Sequence, residues 1–289
     1  MYLSIGDTNT KNERGESLVS LLVGIALASI IMTTATANFV GASRLAKDHQ
    51  MINRAEAEAR SVLDLMAFDI RMTGTGMPLG QAGFLITDTT LGTAPLPVLT
   101  TSSATSIAFR MNQNGAMTVL SSSYTPSTTS TTFSVASSTG LATGDQVYIS
   151  DLSAGGTSGL RGVISSKTSN SITLSSGFVH TAAAVFSSGS SVSKVSDVTY
   201  SSTSPYSGIF RNEGSGSIVL SPNCEFSASY LDTNGAVLTL PLTATSIQDS
   251  LGAIRVTVQV RSTSPLVSGD YYTAVASQTI ALRNLNLLR

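Results

Sequence analysis

Arg14-Gly15-Glu16-Ser17-Leu18-Val19-Ser20-Leu21-Leu22-Val23 is the stretch on which the fold of this chain turns. Ahead of it lie polar residues ending in Lys11, Glu13 and Arg14; behind it no charge appears until Arg44. Between Ser17 and Ser43 the apolar residues Leu18, Val19, Leu21, Leu22, Val23, Ile25, Leu27, Ile30, Ile31 and Met32 recur densely enough to cross a bilayer core, for which about 20 residues suffice. An ordinary secretory signal puts its apolar run before a small-residue cleavage site. Here the abrupt change falls before the run, so residues 1 to 15 read as a leader and 16 to 43 as a retained transmembrane helix.

The helix is expected to continue through a charged stalk, because neither Pro nor Gly interrupts Ala42 to Thr73. Leu45, Ile52, Ala55, Ala59, Val62, Met66 and Ile70 form one apolar stripe on that stalk, at spacings mostly of three or four. Its many charges and His49 read as a solvated face. Gly74-Thr75-Gly76-Met77-Pro78 stops the helix near Met72, since Gly is a poor interior residue and Pro removes a donor. One helix from Glu16 to Met72 is about 85 Å long at about 1.5 Å per residue. Anchor, stalk (44 to 76) and head (77 to 289) follow.

The Arg14 to Val23 segment resembles the class III signal of type IV pilins and pseudopilins. The resemblance implies cutting by a prepilin peptidase after Gly15, N-methylation of the new first residue Glu16, and use of the apolar helix as both membrane anchor and filament core. Two positions depart from the family pattern: Glu16 stands where the first mature residue is usually aromatic or apolar, and Ser20 stands where the fifth is usually Glu. In the family that Glu neutralises a neighbour's terminal amine, a charge tolerable in apolar surroundings only as part of a pair. Glu16 lies one helical turn from Ser20, so either the carboxylate has moved or the pairing is lost, as fits a subunit near a filament tip.

Beyond Leu79 the pattern changes to short alternating runs between Ser, Thr, Gly and Asn clusters, the mark of antiparallel β structure. The fold class is therefore α+β, a long amino-terminal helix followed by a mostly antiparallel β head. Ile254 to Val260 alternates most cleanly, with Tyr272 to Leu282 returning beside it. Asn114-Gly115 and Asn234-Gly235 predict tight hairpins, implying strands near Ile107 to Met111 and Val237 to Leu240. Thr132 to Val135, Gly144 to Ile149, Gly162 to Ile164 and Ile172 to Leu174 suggest an all-β insert over 131 to 195. The Ser and Thr tracts Ser121 to Thr132 and Ser187 to Ser193 read as solvated loops or edge strands. Ala253 to Arg261, Thr279 to Asn284 and Gly144 to Asp151 resemble PilW-type minor pilins, which are subunits that prime pilus assembly.

Composition narrows the function. A net charge of -1 with scattered Lys and Arg offers no basic stripe, so nucleic acid is not an expected partner. The lone Cys224 rules out an intramolecular disulfide and reads as a small buried thiol, with an interchain bond as the alternative. His49 and His180 are the only histidines and lack metalloprotease spacing, and no nucleophile elbow or phosphate loop occurs. Asp232-Thr233-Asn234-Gly235 and the pair Asp145 and Asp151 read as turn chemistry rather than a calcium site, because no terminal Glu follows at loop spacing. No metal, cofactor or catalytic activity is expected.

By resemblance, the partners are major and minor pilins through the amino-terminal helix, the prepilin peptidase and the inner-membrane assembly platform. The precursor then sits in the inner membrane as a single-pass protein with its head outside the cytoplasm, before passing into a cell-surface filament. The alternatives are a J-type minor pseudopilin of a type II secretion system and a membrane-tethered periplasmic glycan-binding or enzymatic domain.

Overall fold

A computed structural model of the chain describes residues 13–77, 99–127, 130–151, 159–180, 184–203, 205–213, 216–242 and 250–282. Side chains are described from Leu18 onward. A single helix, α1 (Glu13–Arg71), runs 59 residues, about 88 Å at about 1.5 Å per residue. It ends beside the expected stop: Gly74 and Gly76 adopt φ of 82° and 77°, which side chains resist. The Gly74 N–H leaves the helix to donate to Arg110 O across the head.

The described residues of the head hold fifteen strands, and the sheets they form follow the alternation of the sequence. Three sheets result. β1 (Leu99–Ser102), β2 (Ser106–Met111), β10 (Ser196–Ser201), β11 (Ile209–Asn212) and β12 (Ser217–Ser221) form a five-stranded sheet in that order. β13 (Cys224–Asp232), β14 (Leu251–Arg261) and β15 (Thr273–Ala281) form a three-stranded sheet. The expected strand and its return are thus β14 and β15, paired antiparallel from Ala253↔Ala281 to Arg261↔Thr273.

The third sheet holds β3 (Met117–Val119), β4 (Thr132–Ser134), β5 (Gln146–Ser150), β6 (Gly159–Lys167), β7 (Ser171–Leu174), β8 (Val179–His180) and β9 (Ser191–Lys194). It leaves the five-stranded sheet after β2 and returns at β10, whose ends pair as Met111↔Ser196. The insert therefore includes β3, ahead of the 131 start expected from sequence. Its sheet runs β3-β9-β5-β6-β7-β4. The ends then meet, since Ser121 N–H donates to Ser134 O and Ala136 N–H to Val119 O. Closure into a small barrel removes both free edges, and its interior holds Phe133, Val135, Val147, Ile149, Leu160, Ile164 and Phe186.

Three local expectations are corrected. Asn114-Gly115 makes a turn, but the strands on either side do not pair with each other: β2 lies in the five-stranded sheet and β3 in the barrel. A turn signal fixes backbone direction and leaves pairing to longer-range packing. Val237 to Leu240 is not a strand and is reduced to one bridge, Leu231↔Val237. In the tract Ser187 to Ser193, Ser187 to Gly189 form an exposed turn as expected, but Ser191 to Ser193 are no edge, because β9 lies between β3 and β5 with Ser191 and Ser193 buried. Small side chains suit that crowded position.

The main core joins the far half of α1 to the two open sheets. Ala55, Ala59, Val62, Met66 and Ile70 of the expected stripe are buried there with Leu63 and Ala67. They meet Val256, Val258, Ile280, Phe109 and Tyr200. Burying each of the larger aliphatic side chains contributes roughly 1.5–3 kcal/mol. Leu45, at the start of the stripe, stays exposed.

Candidate functional site

α1 divides into two unlike halves. From Leu18 to Val40 every large apolar side chain is exposed, Leu21, Ile31 and Phe39 among them. By length and composition this part can cross a membrane. Several of its hydroxyls are satisfied within the helix: Ser29 donates to Ile25 O at 2.6 Å, Thr33 to Ser29 O at 2.7 Å and Thr36 to Met32 O at 2.7 Å. That back-bonding is how Ser and Thr sit in apolar surroundings, where water cannot serve them. Gly24 and Gly41 leave open space at the helix surface.

The expected processing position lies at the outer end of this half. α1 is described from Glu13, so the Gly15-Glu16 peptide lies within the helix, which Gly weakens locally. Ser20 is exposed, and positions 16 and 20 are one turn apart on the same helix. The side chains of Gly15 and Glu16 lie outside the described residues, as does the leader over 1–12.

The other half is fastened to the head by its acids, which the sequence had suggested were mostly solvated. Asp69 is 3% exposed; its Oδ2 accepts from Tyr200 Oη at 2.6 Å and from Arg211 Nε at 2.8 Å. Arg211 also pairs with Glu213, which accepts from Gln113 Nε2 at 2.8 Å. Burial, then the bond to Asp69, pushes the Tyr200 hydroxyl far above its ordinary value, so it stays a donor. Further along, Glu58 accepts from Ser221 Oγ at 2.6 Å, Glu56 from Tyr272 Oη at 3.0 Å, and Asp48 from the Val267 N–H. The signal was present for two of them. Glu58 falls between Ala55 and Val62, and Asp69 between Met66 and Thr73, each in phase with the stripe.

His49 is exposed on α1, while His180 lies on β8 with its ring 5.8 Å from that of Phe178. Among the described residues no group of three or more His, Cys, Asp and Glu is placed to hold a metal ion. Asp232 Oδ1 accepts from the Asn234 and Ala236 amides at 2.8 Å, holding a tight turn. Asp145 takes the Ala142 amide and pairs with Lys194 at 2.8 Å. A polar groove of about 510 Å³ between barrel and sheet holds Asp145, Asp197 and Glu213. Asp145 pairs with Lys194, Asp197 with Arg110, and Glu213 with Arg211, which it shares with Asp69. Cys224 is fully buried and its thiol donates to Ser221 O at 3.0 Å.

No protein-family model, no curated protein and no solved structure matches the chain.

Proposed function

We propose that the chain is a minor pilin-like structural subunit of a type IV pilus. It is made as a single-pass inner-membrane precursor, cut after Gly15, methylated at Glu16, and then passed into a filament where it helps prime assembly at or near the tip. It carries out no catalysis and needs no cofactor. The observation that carries this reading is the division of α1: one half bare and apolar, the other the centre of the head's core. A plain anchor needs only about 20 residues and no rigid continuation. Here the helix and head form one piece, so the apolar half can leave the bilayer for a bundle of similar helices without the head rearranging.

Ser20 brings no charge to that bundle. A carboxylate at position 16, one turn away, takes over the pairing with a terminal amine, or a tip position dispenses with it. Among the described residues the groove acids Asp145, Asp197 and Glu213 each lie in an ion pair, which favours a structural head over a glycan-cleaving one.

The test is the mature amino terminus, found by intact mass and terminal peptides in cells with and without prepilin peptidase and in a Gly15→Ala variant. The expected result is a chain starting at Glu16 in normal cells and an uncut chain in both controls. An uncut chain in normal cells overturns the reading and leaves a tethered periplasmic protein.

A further inference from the structure

The loop between β14 and β15 reaches back to α1 just beyond the end of its apolar half. Its tip is pinned there: the Val267 N–H donates to the Asp48 carboxylate at 3.1 Å, and Ser264 Oγ approaches Met51 Sδ at 2.9 Å. Between loop and helix lies an open cleft of about 580 Å³. Its helix wall presents Arg44, Lys47 and Arg54, which sit at intervals of three and seven residues and so share a face. All three are exposed, and none has an ion-pair partner among the described residues. Asp48, the one acid in the cleft wall, is occupied by the loop's backbone. Beside these cations Val267 is 61% exposed.

This arrangement stands at a definite height. Arg44 is the first charge after the apolar stretch, and Asp48, which holds the loop tip, is roughly 6 Å further along the helix axis. The headgroup layer of a bilayer is of the order of 5–8 Å deep on each side. The uncharged stretch from Ser17 to Ser43 is roughly 40 Å long against a hydrocarbon core of about 30 Å, an excess that a helix takes up by tilting. Tilting toward the loop lowers the cleft onto the surface.

We propose that this cleft binds the phosphate of an anionic phospholipid in the bilayer that α1 crosses, with Val267 entering the interface, and so fixes how the head lies before the subunit leaves the membrane. Charge decides the occupant: the cleft offers cations and an apolar tip side by side, which matches a headgroup at the edge of its acyl region. The inference needs α1 to span the membrane but does not depend on cleavage at Gly15 or on a filament.

The test uses the full chain in nanodiscs of zwitterionic phosphatidylcholine, with or without phosphatidylglycerol. An environment-sensitive dye on Val267→Cys reports contact through quenching by spin-labelled lipid; Cys224 is buried and does not compete. Quenching is expected to be stronger with phosphatidylglycerol, and the surface-bound population to fall by about fivefold for each of Arg44→Gln, Lys47→Gln and Arg54→Gln. These exposed positions can change without disturbing the core, and the lipid comparison alone needs no change at them. Equal quenching in both lipids overturns the proposal, as does a difference that survives the triple variant. Loss of the difference on adding inorganic phosphate at matched ionic strength also overturns it, by assigning the cleft to the free anion.

Discussion

Asp69 ties the helix to the sheet through two partners whose own positions depend on it. Asp69→Ala leaves the Arg211 guanidinium buried with less compensation, a change that costs about 3–5 kcal/mol where a buried pair is broken. Urea unfolding of the detergent-solubilised chain should register that loss. Arg60→Ala, which breaks an exposed 3.6 Å pair with Glu56, should stay within about 0.5 kcal/mol. The buried tyrosines set the alkaline limit. Burial pushes Tyr124 up to about 12, and Tyr200 and Tyr230 are raised as well. An unfolded chain releases these protons near pH 10 while the folded one keeps them, so stability falls as pH rises. The contribution is intact below about pH 10 and is lost between about pH 10 and 12 for Tyr124, with the others extending the decline. Melting temperature followed upward from neutral pH should bend down near 10, and less steeply in a Tyr124→Phe variant. Sequence exposed Asp69 only through its phase with Met66 and Thr73. Its partners lie more than a hundred residues away, and no local pattern names them.

At the scale of elements, legibility followed burial pattern. β14 was readable because one face is buried and the other solvated, so its side chains alternate in kind. The helix was readable for the same reason at its own period. β9 was not, because its serines are chosen for size in a crowded barrel wall rather than for contact with water. The Asn114-Gly115 turn misled because it joins two different sheets. The junction of helix, sheet and barrel is tightest at Gly76. A Cβ there would lie 2.8 Å from Asn112 Cβ and 3.0 Å from Ser193 Cβ, at a φ of 77°. Gly76→Ala should cost about 1–3 kcal/mol, seen as a lower unfolding midpoint with the barrel's circular dichroism retained.

Across the whole molecule, α1 serves two surroundings with one unbroken helix. A chain beginning at Arg44 keeps every buried helix residue, and gel filtration should find it folded and soluble without detergent. A chain beginning at Gly74 removes Ala55 to Ile70 from the main core and should aggregate or remain unfolded. The long helix was legible because its apolar run and its stripe follow one another without a break; the division of the head was only partly so, because the insert's first strand, Met117–Val119, is three residues long. The packing of α1 against β14 and β15 also has a consequence in time. The helix is made first and the strands that cover it last, whereas the barrel's residues, 117 to 194, are nearly consecutive and supply a core of their own. Such distant pairings form slowly, on the order of milliseconds to seconds. The barrel can therefore be finished while the main core still waits for Leu251–Arg261 and Thr273–Ala281, and completion of the head reports that the chain has been delivered through Ala281.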